Sequence, residues 1–127
     1  MKPRDSTLRL KRFDVAERAR KAGDIEGMVR DFETMIHDLN RQITVEEERT
    51  GIRDSNHFAY STFAKAAALR RENLLTSVND LKMKLDAARL EHDTALDELR
   101  RLEVTEARDT ANSERGRRND RPEAAAG

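Results

Sequence analysis

Histidines and carboxylates are the side chains of this chain that could do chemistry. The three histidines, His37, His57 and His92, have no cysteine near them and form no His-x-x-x-His or His-Glu-x-x-His pattern. Such spacings place metal ligands on one helix face. Carboxylates are abundant, but they fall on open helix faces where no pocket would raise a pKa. We therefore expect no enzyme activity, no metal site and no cofactor.

Aromatic and basic residues could instead bind a partner. Three of the five aromatic residues lie close together, at Phe58, Tyr60 and Phe63. They serve either as packing at the tip of the fold or as a partner contact. A basic group near the start of the chain contains Arg9, Lys11 and Arg12. It is a solvated helix face, a protein-docking face or, with least weight, a surface for nucleic acid or membrane.

Composition indicates which elements must position these residues. The chain has 127 residues, of which 39% are charged and 4% aromatic, and 25 basic residues balance 25 acidic ones. This favours long helices with a narrow apolar seam over a globular core. Zero net charge argues against nucleic-acid binding. With no cysteine, no signal segment and no membrane-spanning apolar run, we expect a cytoplasmic protein.

Apolar residues repeat every seven positions in two segments, which predicts two long helices. The first helix, about residues 5–49, has the a positions Leu8, Val15, Ala22, Val29, Ile36 and Ile43. Its d positions are Lys11, Arg18, Ile25, Phe32, Leu39 and Glu46. The second, about residues 58–107, has the d positions Ala67, Leu74, Leu81, Ala88, Ala95 and Leu102. Its a positions are Ala64, Arg71, Val78, Leu85, His92 and Leu99. A strict period of seven is typical of a left-handed coiled coil.

Turn-forming residues at about 50–57 separate the two helices, so we predict an antiparallel hairpin in an all-α fold. Pairs whose residue numbers sum to 110 then bring every a position opposite a d position. The charge blocks agree, because residues 1–21 hold eight basic and three acidic groups and residues 74–107 hold five basic and eight acidic. We expect Gly51 to be the C′ residue of the first helix. The N-cap of the second helix is Asp54, Ser55 or Ser61.

Periodicity disappears after Ala107. Residues 108–127 contain polar residues, scattered arginines, Pro122 and a terminal alanine run, with almost no apolar bulk. We therefore predict one coiled-coil domain, residues 1–107, followed by a disordered tail.

The chain resembles the flagellar FliJ family, and most of all its alphaproteobacterial branch. The matching features include the basic start at residues 8–13 and the acidic stretch at 36–49. Most telling are His-Phe-Ala-Tyr at 57–60, Phe-Ala-Lys-Ala-Ala at 63–67 and Arg-Arg-Glu-Asn-Leu at 70–74. The likeness covers about residues 1–107.

The resemblance implies a non-enzymatic component of the flagellar type III export apparatus, at the inner face of the cell membrane. Such proteins bind the pore of the hexameric export ATPase, contact the cytoplasmic domain of the membrane export gate and escort export chaperones. The gate contact would involve positions that match Tyr60, Phe63, Ala67 and Leu74. Phe63, a g position beside the seam, is the best candidate among them. Arg9, Lys11 and Arg12 are candidates for the ATPase contact.

Two alternatives belong to other functional classes. One is a generic coiled-coil adaptor without an ATPase partner. The other is a basic-ended helical nucleic-acid-binding protein, against which the neutral net charge weighs. A steep dependence of DNA binding on salt would identify the second.

Overall fold

The structure, a computed structural model, describes residues 3–120, and within them all regular structure is helical. Helix α1 comprises Pro3–Thr50 and helix α2 comprises Thr62–Asp120. The helices pack against each other in antiparallel directions, as the heptad pattern predicted. Neither helix contains a stretch within the described range that is apolar and long enough to span a lipid bilayer.

The interface between α1 and α2 consists of the predicted a and d positions. Each of these positions is buried or half-buried in both helices. The buried apolar side chains all belong to this set: Leu8, Val29, Leu39, Ile43, Ala64, Ala67, Val78, Leu85, Ala88, Ala95 and Leu99. In contrast, Leu10, Leu69 and Leu90 lie outside the seam and are exposed. Heptad position therefore decides which apolar side chains leave water.

The chain divides into two compact units. Unit 1 combines the start of α1, up to residue 19, with the part of α2 that begins at residue 90. In its described part, Arg18 occupies one of the charged seam positions and is held by carboxylates of both helices. Its guanidinium lies 3.0 Å from Asp14 and 3.1 Å from Glu91. These side chains are more than a third exposed, so each pair contributes about 0–1 kcal/mol.

Unit 2 comprises residues 20–89 and contains the most apolar part of the seam. Its core cluster joins Leu39 and Ile43 of α1 to Ala67 of α2, and Leu74 packs against this cluster. Ile43 and Ala67 are one of the predicted pairs whose numbers sum to 110. Their membership in one cluster agrees with the predicted register.

Helix α2 differs from the prediction at both ends. It begins at Thr62 instead of residue 58, and it continues to Asp120 instead of ending at 107. The prediction of a disordered tail at 108–127 was therefore wrong for residues 108–120. Residues 121–127 lie outside the described part of the chain.

The extension of α2 beyond residue 107 can be explained by propagation from the part of α2 that is already helical. Each residue added to a formed helix gains a hydrogen bond without a new nucleation step. Asp109 is anchored by an ion pair with Arg4 at 2.9 Å, and Arg117 and Arg118 lie in the last turn, where cations favour the helix dipole. The first proline beyond this point is Pro122, which disfavours helix in the residue before it. Since residues 111–118 are all exposed, helix propensity maintains this stretch and core packing does not.

Candidate partner-binding site at the interhelical loop

Helix α1 ends at a glycine in the left-handed conformation. Gly51 has a φ of 73°, and its N–H donates to the carbonyl oxygen of Glu47 at 2.8 Å. This hydrogen bond satisfies a carbonyl that the end of the helix would leave unpaired. Gly51 is therefore the helix C′ residue that the sequence predicted.

Two successive turns in the loop explain why α2 starts later than predicted. Asp54 accepts hydrogen bonds from the N–H of Asn56 at its carboxylate (2.9 Å) and from the N–H of His57 at its carbonyl (3.0 Å). His57 repeats the arrangement, because Nδ1 accepts from the N–H of Ala59 at 2.9 Å and the carbonyl accepts from the N–H of Tyr60 at 3.0 Å. These turns satisfy backbone groups that a helix from residue 58 would require.

Ser61 is the N-cap of α2. Of the three predicted candidates, it is the one whose hydroxyl accepts a hydrogen bond from a helix N–H, that of Ala64 at 3.2 Å. The same hydroxyl donates to Glu46 of α1 at 2.8 Å. The hydrogen bonds from Arg49 and then from Ser61 lower the pKa of Glu46 to about 2. The start of α2 is thus fixed to the last turns of α1.

Tyr60 provides a second link between the loop and α1. Its hydroxyl donates to the carboxylate of Glu47 at 2.9 Å, and the side chain is half-buried. Burial, followed by the hydrogen bond to Glu47, raises the pKa of Tyr60. Tyr60 is thus half-buried and bonded to α1.

The two phenylalanines of this segment are exposed to solvent. Phe58 is 96% exposed, and its ring stacks on His57 with centroids 4.7 Å apart. Phe63, in the first turn of α2, is 57% exposed, so part of its ring remains in water, as its g position predicted. The aromatic cluster therefore divides: Tyr60 packs within the tip, whereas Phe58 and Phe63 are available for contact.

Phe63 borders a shallow groove formed by both helices. Residues of α1 supply the rest of its lining: Asp38, Arg41, Gln42, Val45 and Glu46. Val45 is itself 63% exposed, so it extends the apolar surface of Phe63. Val45 was not predicted as part of the site. Its apolar side chain at a c position, among charged neighbours, could have indicated an exposed apolar contact. The hydrogen bonds by which Glu46 and Glu47 fix the loop to α1 were not predicted either.

The other two residues predicted for the gate contact lie in the interface between the helices. Ala67 is 4% exposed within the core cluster, and Leu74 is half-buried against the same cluster. Of the four predicted residues, Tyr60 and Phe63 therefore lie at or just before the start of α2, whereas Ala67 and Leu74 belong to the interface between the helices.

The basic group of unit 1 divides in a similar way. Arg9 and Arg12 are exposed. Lys11 is half-buried and bonded to Glu98 of α2, with Asp14 3.6 Å from its ammonium group. The hydrogen bond with Glu98 is the main cause of the raised pKa of Lys11. Lys11 therefore links α1 to α2, whereas Arg9 and Arg12 are the members of the basic group that are exposed to solvent.

No protein-family model, curated protein or solved structure significantly matches the chain. The described residues include no cluster of histidine and carboxylate groups with the arrangement of a metal site. What the structure shows at the interhelical loop is an exposed aromatic side chain, Phe63, on a helix start that is held by hydrogen bonds to α1.

Proposed function

We propose that the chain is a non-enzymatic component of the flagellar type III export apparatus. In this role it couples the export ATPase ring to the membrane export gate and escorts export chaperones. It would act at the inner face of the cell membrane through these partners. The pattern of residues 57–74 carries the family part of the proposal.

The observation that supports a gate contact is the exposure of Phe63. An aromatic side chain that is 57% exposed costs solubility, and it is more readily tolerated when a partner covers it. Its backbone is ordered by the Ser61 cap and by the link between Tyr60 and Glu47. Because the loop is already fixed, docking would order few additional side chains, which favours affinity.

Titration calorimetry of the full chain tests the proposal. The two titrants are the cytoplasmic domain of the export gate and the hexameric export ATPase, both from the same genome. We expect saturable binding to each, and binding to the gate should have a negative heat-capacity change because apolar surface is buried. Binding to neither protein would overturn the proposal.

Two further results would point to the alternatives. Binding to other helical proteins but not to the gate or the ATPase would favour a generic adaptor. Binding to duplex DNA that weakens steeply with salt would favour the nucleic-acid-binding hypothesis. Release of counterions from the DNA makes the binding constant fall as the salt concentration rises.

A further inference from the structure

The two flanks of the helix pair in unit 2 differ in chemistry. One flank contains the heptad e positions of both helices. There Glu26 pairs with Arg89 at 3.5 Å, and Glu33 pairs with Lys82 at 3.7 Å. These ion pairs cross from α1 to α2 and cover the seam on that side with charge.

The opposite flank contains the g positions and is more apolar. On α1 it presents Met28 and Met35, which are 46% and 48% exposed. The register places them beside the g positions of α2, which include Arg70, Ser77 and Lys84. Ser77 directs its hydroxyl to the carbonyl of its own helix at Asn73, 3.1 Å away. The flank thus combines large flexible apolar side chains with a small one.

The two long edges of this g flank, one on α1 and one on α2, differ in charge. Its α1 edge has carboxylates at the adjoining c positions, including the exposed Asp24 and the half-buried Asp38, which also lies 3.2 Å from Arg41 of its own helix. Its α2 edge has the exposed cations Arg70 and Lys84, which outnumber the one exposed carboxylate at its c positions, Asp80. A surface with one acidic and one basic edge is complementary to a copy of itself when the two edges are exchanged.

We propose that the g flank of unit 2 binds the g flank of a second copy, forming a dimer with four helices. A two-fold axis parallel to the helices would place α1 of one copy opposite α2 of the other. This goes beyond the proposed export function and does not depend on it.

The register of α1 against α2 shows which charged residues of the two copies would lie at the same height. Residue numbers that sum to 110 lie at the same height, so Arg70 is level with residue 40 and Lys84 with residue 26. Asp38 and Asp24 of the second copy would each lie two residues away, about 3 Å along the axis. Met35 would lie a similar distance from Ser77. A two-fold axis perpendicular to the helices would instead place acidic edge against acidic edge.

Phe63 occupies a g position at the loop end of the same flank. A dimer formed in this way would cover part of its ring and of Val45. Self-association and partner binding at Phe63 would then compete, which links oligomeric state to partner binding.

Sedimentation equilibrium of the full chain at micromolar concentrations tests the dimer. We expect an associating species with twice the 14.6 kDa mass of one chain. Met35→Glu would place a charge against Ser77 of the second copy, so we expect dimerisation to weaken at least tenfold. The matched control is Met83→Glu, because Met83 is 72% exposed at an f position away from the flank and its substitution should leave the mass unchanged.

A charge exchange provides the second test. Arg70→Asp should weaken the dimer, and adding Asp38→Arg should restore it, because the pair is recreated in the opposite sense. Circular dichroism should show unchanged helix content in each variant, since neither Arg70 nor Asp38 is buried in the seam. A wild-type chain that stays monomeric, equal effects of Met35→Glu and Met83→Glu, or no recovery in the double variant would each overturn the proposal.

Discussion

Replacing Leu85 and Leu69 with alanine compares the same substitution at a seam position and at an exposed position of one helix in one unit. Leu85 is 6% exposed and Leu69 is 64% exposed. The change removes three carbon atoms, and burial of each is worth about 0.8 kcal/mol. For Leu85 the transfer loss is about 2.4 kcal/mol, and the vacated space brings the total to about 3 kcal/mol.

For Leu69 only about a third of the side chain is buried, so the loss is about 0.8 kcal/mol. The higher helix propensity of alanine offsets about 0.2 kcal/mol of it. Leu85→Ala should therefore lower the free energy of unfolding about five times as much as Leu69→Ala. Urea denaturation followed by circular dichroism at 222 nm measures both values. Similar losses for the two variants would refute the assignment of the seam.

Three other substitutions or conditions test the loop. Tyr60→Phe removes the hydrogen bond to Glu47 and should lower the free energy of unfolding by about 1 kcal/mol, as measured by urea denaturation. An unchanged free energy of unfolding would mean that a hydrogen bond to water replaces this link. Gly51→Ala forces a left-handed conformation on an L side chain and should cost about 1–2 kcal/mol in the same assay. The pKa of Glu46 is lowered in the folded chain, so its stabilising effect is complete above pH 4.5 and is lost as pH falls towards about 2. The difference in stability between the wild type and Glu46→Gln should shrink over that range, and a constant difference would contradict the assigned cause.

Much of the fold could be predicted because a heptad repeat encodes both the buried face and the partner helix. Ile43 and Ala67 lie in one core cluster, in agreement with the predicted register, and Gly51 ends α1 with the left-handed conformation expected of a C′ glycine. The ends of α2 could not be predicted in the same way. Its start depends on hydrogen bonds to Asp54 and His57, whereas its extension to Asp120 depends on helix propagation without a buried face.

The candidate site was only partly predictable for a related reason. The heptad position of Phe63 correctly indicated partial exposure, and the positions of Ala67 and Leu74 indicated the interface. Loop residues have no heptad position, so the full exposure of Phe58 and the anchoring of Tyr60 by Glu47 required the structure.

Binding of the Phe63→Ala variant to the cytoplasmic domain of the export gate tests the proposed function most directly. The matched control is Phe13→Ala, because Phe13 is 64% exposed on α1 and lies outside the candidate site. We expect Phe63→Ala to weaken gate binding by about 1–3 kcal/mol, with unchanged helix content and unchanged ATPase binding. Phe13→Ala should bind the gate as the wild type does. Equal gate affinity of Phe63→Ala and the wild type, or loss of helical signal in Phe63→Ala, would contradict the account, since Phe63 would then be either idle or part of the packing.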